Sequence, residues 1–202
     1  ADPEGKRQNL IGLELDQGRP TLVHSDLSKL SPADKQFVDH MTTVGNLVDA
    51  LYELQTGTTA LASRLPADPA SRSLFRRNRG PQCAAPATEK DPACSAIPGS
   101  PKPVFDLYPA ELQADPKFCD KLQARKDAKT VLEDHFAVVR GTGDKLTSVP
   151  FTEAYKEQMT GIAKELTAAA DAIKDPDENM LVDYLRAAAK SFETNTWEPA
   201  DE

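Results

Sequence analysis

The chain has 202 residues, 39% of them apolar, with 16 prolines and a formal net charge of -8; its mean hydropathy is -0.51. That length suits one domain, or a domain with an appendage, and the apolar share lies below the about 45–50% usual in globular chains. The acidic balance argues against nonspecific binding to nucleic acid or to an anionic membrane, and no run nears the ~18 apolar residues of a membrane-spanning helix.

The chain opens on Ala1-Asp2-Pro3, without Met or a signal peptide, and reads as a processed or vector-derived end. Residues 1–30 alternate poorly. Leu10-Ile11-Gly12-Leu13-Glu14-Leu15 and Thr21-Leu22-Val23 are expected as short strands or an extended N-terminal arm around Gln17-Gly18-Arg19-Pro20. A helical segment is expected over 31–80. Ser31 caps it and Pro32 takes the first helical position. Behind them Phe37, Met41, Val44, Val48 and Leu51 step by fours and threes, with Leu47 and Leu54 widening the stripe. That helix should run to about Thr56 and stop at Gly57. A second starts after Asp68, with Pro69 first and Leu74-Phe75 as anchor. Its Arg72, Arg76, Arg77 and Arg79 form either an anion-docking cluster or a solvated face paired with some of the 32 acidic side chains.

Residues 81–104 read as a Pro- and Cys-rich loop without periodicity. Two of the three cysteines, Cys83 and Cys94, fall in it. A Cys83–Cys94 disulfide would close a short loop. Free thiols are the competing reading, and the spacing is too wide for paired metal ligands. A disulfide implies export to a periplasmic, cell-surface or secreted setting, and leaves Cys119 over. Phe105, Leu107 and Tyr108 should pin the far end of the loop. Asp115-Pro116 opens a short helix to about Gln123 that buries Phe118 and Leu122, with a further turn around Val131-Leu132. Phe136–Arg140 and Lys145–Val149 flank Gly141-Thr142-Gly143-Asp144, the pattern of a β-hairpin with a four-residue turn.

From residue 151 the apolar positions are Phe151, Tyr155, Met159, Ile162, Leu166, Ala169 and Ile173, one stripe on one helix. Asp175-Pro176-Asp177-Glu178 stops it and caps another, which carries Leu181, Tyr184, Leu185, Ala188 and Phe192. So short a link implies an antiparallel helical hairpin. The expected fold is therefore mainly α: a helical bundle-like fragment with one β-hairpin and a long Pro-rich, disulfide-tied loop. Its last segment, 105–202, is expected to continue beyond residue 202.

Val149-Pro150-Phe151, Glu153-Ala154-Tyr155-Lys156, Tyr184-Leu185-Arg186-Ala187-Ala188-Ala189, Phe192 and Trp197-Glu198-Pro199-Ala200-Asp201 follow one another in a familiar order. Together they resemble the N-terminal helical part of dipeptidyl-peptidase III-like zinc metallopeptidases, closest to their shorter, nudix-associated and bacterial relatives. The resemblance covers roughly the last third of the chain. It implies a zinc hydrolase acting on peptides, yet the family's zinc motif, H-E-x-x-x-H or H-E-x-x-H, is absent. The three histidines are His24, His40 and His135, and none is followed by Glu. On this reading the chain holds no catalytic residue, metal ligand or cofactor of its own. Zinc belongs to the complete enzyme, supplied by a C-terminal segment or a second chain.

Few residues stand out as chemistry. Glu153 could hold the free amine of a peptide and Tyr155 could hydrogen-bond its backbone; equally, Tyr155 belongs to the core stripe and Glu153 to a favourable first helical turn. Gly141-Thr142-Gly143 lacks the Gly-Lys continuation of a phosphate cradle and precedes a strand, not a helix. Glu133-Asp134-His135 has no nucleophile nearby and reads as polar surface. Two functions follow: the non-zinc N-terminal portion of an exported dipeptidyl-peptidase III-like zinc metallopeptidase, or a non-enzymatic helical binding or assembly module.

Overall fold

The structure, a computed structural model, describes residues 2–18, 21–129 and 134–201. Arg19-Pro20, the turn expected around Val131-Leu132, and Glu133 lie outside the described residues. The chain is mainly helical and divides into two compact units. The first comprises residues 1–24 and 53–105, the second 25–52 and 106–202. No helix among the described residues is long and apolar enough to cross a membrane.

The first unit corrects the extended arm. Residues Pro3–Asp16 form a helix, α1, capped by the Asp2 side chain on the Gly5 amide with Pro at its start. Its buried side chains are Arg7, Ile11 and Glu14, spaced by four and three. Two of those three are charged, so the stripe is helical in spacing but not apolar. That is why hydrophobic periodicity missed it. Thr21–Val23 has no regular structure.

The helix expected after Asp68 is present as Pro69–Asn78, here α3, since Pro32–Gln55 supplies α2. Asp68 accepts from the Ser71 amide at 2.8 Å, and the helix ends where Arg79 adopts a left-handed conformation, φ 50°. Ile11 of α1 and Leu74 of α3 pack with Cys83, Cys94 and Ala96. The loop they clasp is closed by the Cys83–Cys94 disulfide. Beside the disulfide, Gln82 and Ser95 form a single antiparallel bridge, and Ala96 donates to the Pro81 carbonyl at 2.7 Å. At the end of α2, Gly57 has φ +75°, and a Cβ there would meet the Val104 carbonyl at 2.0 Å. Only glycine lets the chain turn there and lie that close.

In the second unit the long C-terminal stripe is divided. Phe151–Ala154 forms one turn, α6, and Lys156–Ala172 a separate helix, α7, with Tyr155 at φ -122°, ψ 36° between them. Met159, Ile162, Leu166 and Ala169 are buried as the spacing predicts. Asp175 caps the link by accepting from the Asp177 amide. Asn179–Thr194, α8, then returns along α7 as a helical hairpin. Leu185 and Ala189 face the core, whereas Tyr184 is exposed, one position around from Leu185 and off the buried stripe. In α2, Val44 and Leu51 are buried and Val48 is exposed. Leu47 takes its place, with Cδ1 3.5 Å from where a Gly161 Cβ would sit. His40 on α2 meets Glu165 on α7 at 2.7 Å.

The β-hairpin runs Ala137–Thr142 (β1) and Lys145–Pro150 (β2), with Thr142 opposite Lys145. The turn is therefore two residues, Gly143-Asp144, not four, and Gly143 at φ +55° suits the first central position of such a turn. A two-stranded hairpin is marginal in water. Here Val139 and Leu146 pack with Leu122, Tyr108, Leu112 and Phe118, the last from the helix Phe118–Gln123, α5. A one-turn helix, α4, at Ala110–Gln113 precedes it, which the sequence did not suggest.

Candidate functional site

Glu153 and Tyr155 lie where the hairpin passes into α6. Glu153 is exposed, and Tyr155 is 2% exposed. Pro150 prevents α6 from extending back into β2, and the break at Tyr155 turns its ring inward. The Tyr155 hydroxyl donates to the Asp106 carbonyl at 3.0 Å. Arg140 on β1 donates to the same carbonyl at 3.0 Å and to the Asp106 carboxylate at 2.9 Å. Burial, then the Asp106 charge, pushes the Tyr155 phenol up to about 12. The phenol is thus a buried, neutral donor already committed to Asp106. Leu107, beside it, accepts from the Val139 amide at 2.8 Å, so this short segment fastens the outer side of β1. The structure brings Tyr155, Arg140 and Asp106 together and leaves Glu153 facing solvent.

The first unit holds two buried charges that the sequence reading passed over. Glu14, wholly buried, accepts from five donors: Arg77 Nη2 at 2.6 Å, Asn78 Nδ2 at 3.0 Å, the amides of Ala84 and Ala85, and the Thr88 hydroxyl. Burial pushes its carboxyl up, but the bonds from Thr88, Asn78, Ala84 and Ala85 outweigh this and hold it at about 2. Arg7 donates to Ser71 Oγ at 2.9 Å and to the carbonyls of Ser95 and Ala96 at 3.0 and 3.1 Å. Its pairing with Glu4 keeps it protonated despite burial. Both side chains tie the disulfide loop to α1. The signal that could have found them is Asp2-Pro3, the same cap as Asp68-Pro69.

Zinc does not fit the described residues. His24 and His135 are exposed and His40 is paired with Glu165. Among the described residues the group with metal-ligand spacing is Glu14, Cys83 and Cys94. There the two sulfurs are bonded to each other, and the carboxylate is filled by N–H and O–H donors, which a cation would have to displace. Of the arginine cluster, Arg77 serves Glu14 and Arg79 approaches Glu53 at 3.3 Å, while Arg72 and Arg76 are exposed. Cys119 is free and exposed.

This arrangement of helices and hairpin recurs in solved structures. The chain matches the structure of dipeptidyl-peptidase III from Corallococcus sp. strain EGB with a TM-score of 0.73 and 23% identity over 96% of its length. It matches DPP III from Caldithrix abyssi with a TM-score of 0.69 and 22% identity over 94%. The fold is dipeptidyl-peptidase III-like. In each case the chain spans 36% of the other's length. No family model matches the chain, and no curated protein does. The dipeptidyl-peptidase III-like fold thus covers nearly all of these residues, well beyond the last third that carried the resemblance in sequence. The Cys83–Cys94 disulfide of this chain fits an oxidising setting outside the cytosol.

Proposed function

We propose that this chain is the non-zinc portion of an exported, dipeptidyl-peptidase III-like zinc metallopeptidase. It takes part in peptide hydrolysis only together with a further segment or partner chain that bears the metal. The observation that carries this reading is the fold match over 94–96% of the chain to proteins of which it spans only 36%. Burial of polar groups in the chain is consistent with it: Glu14 and Arg7 are spent on holding the loop, and Tyr155 on holding Asp106. Such groups build a frame. Glu153 is the exposed carboxylate offered to the ammonium of a peptide N-terminus, and Tyr155 fixes the turn that carries it.

The test is zinc content and peptide cleavage on the protein purified at native length, with any chain that accompanies it. One zinc per complete protein and release of dipeptides from peptide N-termini are expected. Residues 1–202 alone should neither hold zinc tightly nor cleave. Tight zinc binding by residues 1–202 through His24, His40 or His135 would overturn the reading, as would a zinc-free, inactive native protein.

A further inference from the structure

The buried face of α1 takes its partners from the disulfide loop. Arg7, Ile11 and Glu14 are its buried residues, and of the three only Ile11 is apolar. The amides of Ala84 and Ala85, the two residues after Cys83, each donate to Glu14 at 3.1 Å. The carbonyls of Ser95 and Ala96, the two residues after Cys94, accept from Arg7 at 3.0 and 3.1 Å. Ile11 packs in a cluster of buried residues that holds Leu74, Ala96 and the two bridged cysteines themselves. Beside the S–S bond, the loop is drawn together by the Gln82–Ser95 pairing, the Ala96 bond to Pro81 and a 3.4 Å bond from the Cys83 amide to the Cys94 carbonyl. A buried charge that loses its partners is costly, so the loop and α1 come away together.

We propose that the Cys83–Cys94 bond is a redox latch on the first unit: its reduction by a dithiol opens α1 and residues 81–100, while the second unit keeps its fold. One thiolate of the reductant bonds one sulfur and expels the other as a thiolate. The second thiol of the reductant then displaces the bonded cysteine, so the reductant leaves as a disulfide and Cys83 and Cys94 each gain one electron and one proton. An oxygen of Glu14 and the two sulfurs lie within 4.8 Å of one another. A thiolate left in the closed loop therefore faces a carboxylate, and opening relieves that repulsion. Neither cysteine belongs to the second unit. Its buried residues, Leu122, Val139 and Leu146 in one cluster and Met159, Ile162 and Leu185 in the helical hairpin, stand without them. Losing the closure of so short a loop raises the opening equilibrium about a hundredfold. The latch does not depend on the zinc-bearing reading.

The test is amide hydrogen exchange on the native-length protein with any accompanying chain, oxidised and then reduced with dithiothreitol. On reduction the amides of Ala84, Ala85 and Ala96 and those of α1 should exchange about a hundredfold faster, while Ile162, Leu166 and Leu185 change by less than about twofold. Reoxidation should restore the slow rates. Cys83→Ser with Cys94→Ser should show the reduced pattern without any reductant, which separates loss of the bond from side effects of the reagent. Glu14→Gln should loosen the same two segments in the oxidised protein, and reduction should then add well under the hundredfold step, because both changes act through Ala84 and Ala85. Unchanged exchange in α1 and the loop on reduction overturns the latch. Equal acceleration in both units overturns it too, since the bond would then brace the whole protein. A full hundredfold step in Glu14→Gln overturns the link between the carboxylate and the bond. These outcomes are read from exchange alone, so a zinc-free protein can still carry the latch and an active zinc enzyme can still lack it.

Discussion

Arg77 on α3 reaches Glu14 on α1 at 2.6 Å, across a carboxylate that is wholly buried. Neither residue belongs to an apolar stripe, yet the pair joins two helices and, through Ala84, Ala85 and Thr88, the disulfide loop. Glu14→Gln keeps the shape but turns one acceptor into a donor aimed at other donors. A loss of about 2–4 kcal/mol in denaturant unfolding is expected, and a midpoint unchanged from wild type would show that the loop is held by other means.

Acid should undo the same contact. The folded carboxyl of Glu14 sits at about 2, below its ordinary 4.5, so its contribution is complete above about pH 4.5 and is lost as pH falls through 2. The size is about 3 kcal/mol. Unfolding measured at steps from pH 6 to pH 2 should therefore steepen for the wild type and be flatter for Glu14→Gln. Equal slopes would mean that Glu14 titrates normally.

Tyr155 makes the opposite prediction at high pH. Its phenol is raised to about 12, so the stabilisation it gives is intact below about pH 10 and is lost as pH climbs through 12. Absorbance titration should show Tyr155 still largely protonated at pH 11. Tyr155→Phe should remove that late step and cost about 1 kcal/mol for the bond to Asp106.

Cys83 and Cys94 are 11 residues apart and bonded. Their reduction, or Cys83→Ser with Cys94→Ser, should cost ~2–3 kcal/mol. In the native oxidised protein one thiol per chain, Cys119, should react with a thiol reagent. Three reactive thiols without reductant would contradict the bond.

Met159 lies in the α7 seam at 2% exposure. Met159→Asp puts a charge among Ile162, Leu166 and their neighbours and should destabilise by more than about 3 kcal/mol. Tyr184→Ser, on the exposed side of α8, should shift stability by under about 0.5 kcal/mol. Similar effects from both would mean the stripe was placed wrongly on the helices.

What the sequence determined by itself was local. Asp68-Pro69 and Asp175-Pro176 state their caps because a side-chain oxygen and a fixed φ act within four residues. The stripe from Met159 to Ala169 states its buried face because 3.6-residue spacing needs no knowledge of the partner. The tie between Cys83 and Cys94 was legible from two cysteines close together in a Pro-rich loop without periodicity. Tertiary structure decided the rest. Arg7 and Glu14 are buried because Ser71, Ser95 and Thr88 arrive from elsewhere in the chain to satisfy them, and a charged residue looks exposed until those partners are placed. Tyr155 breaks its helix, and Val48 yields to Leu47, for the same kind of reason: the contact with Asp106 or Gly161 lies far away in sequence, beyond the reach of any periodic pattern.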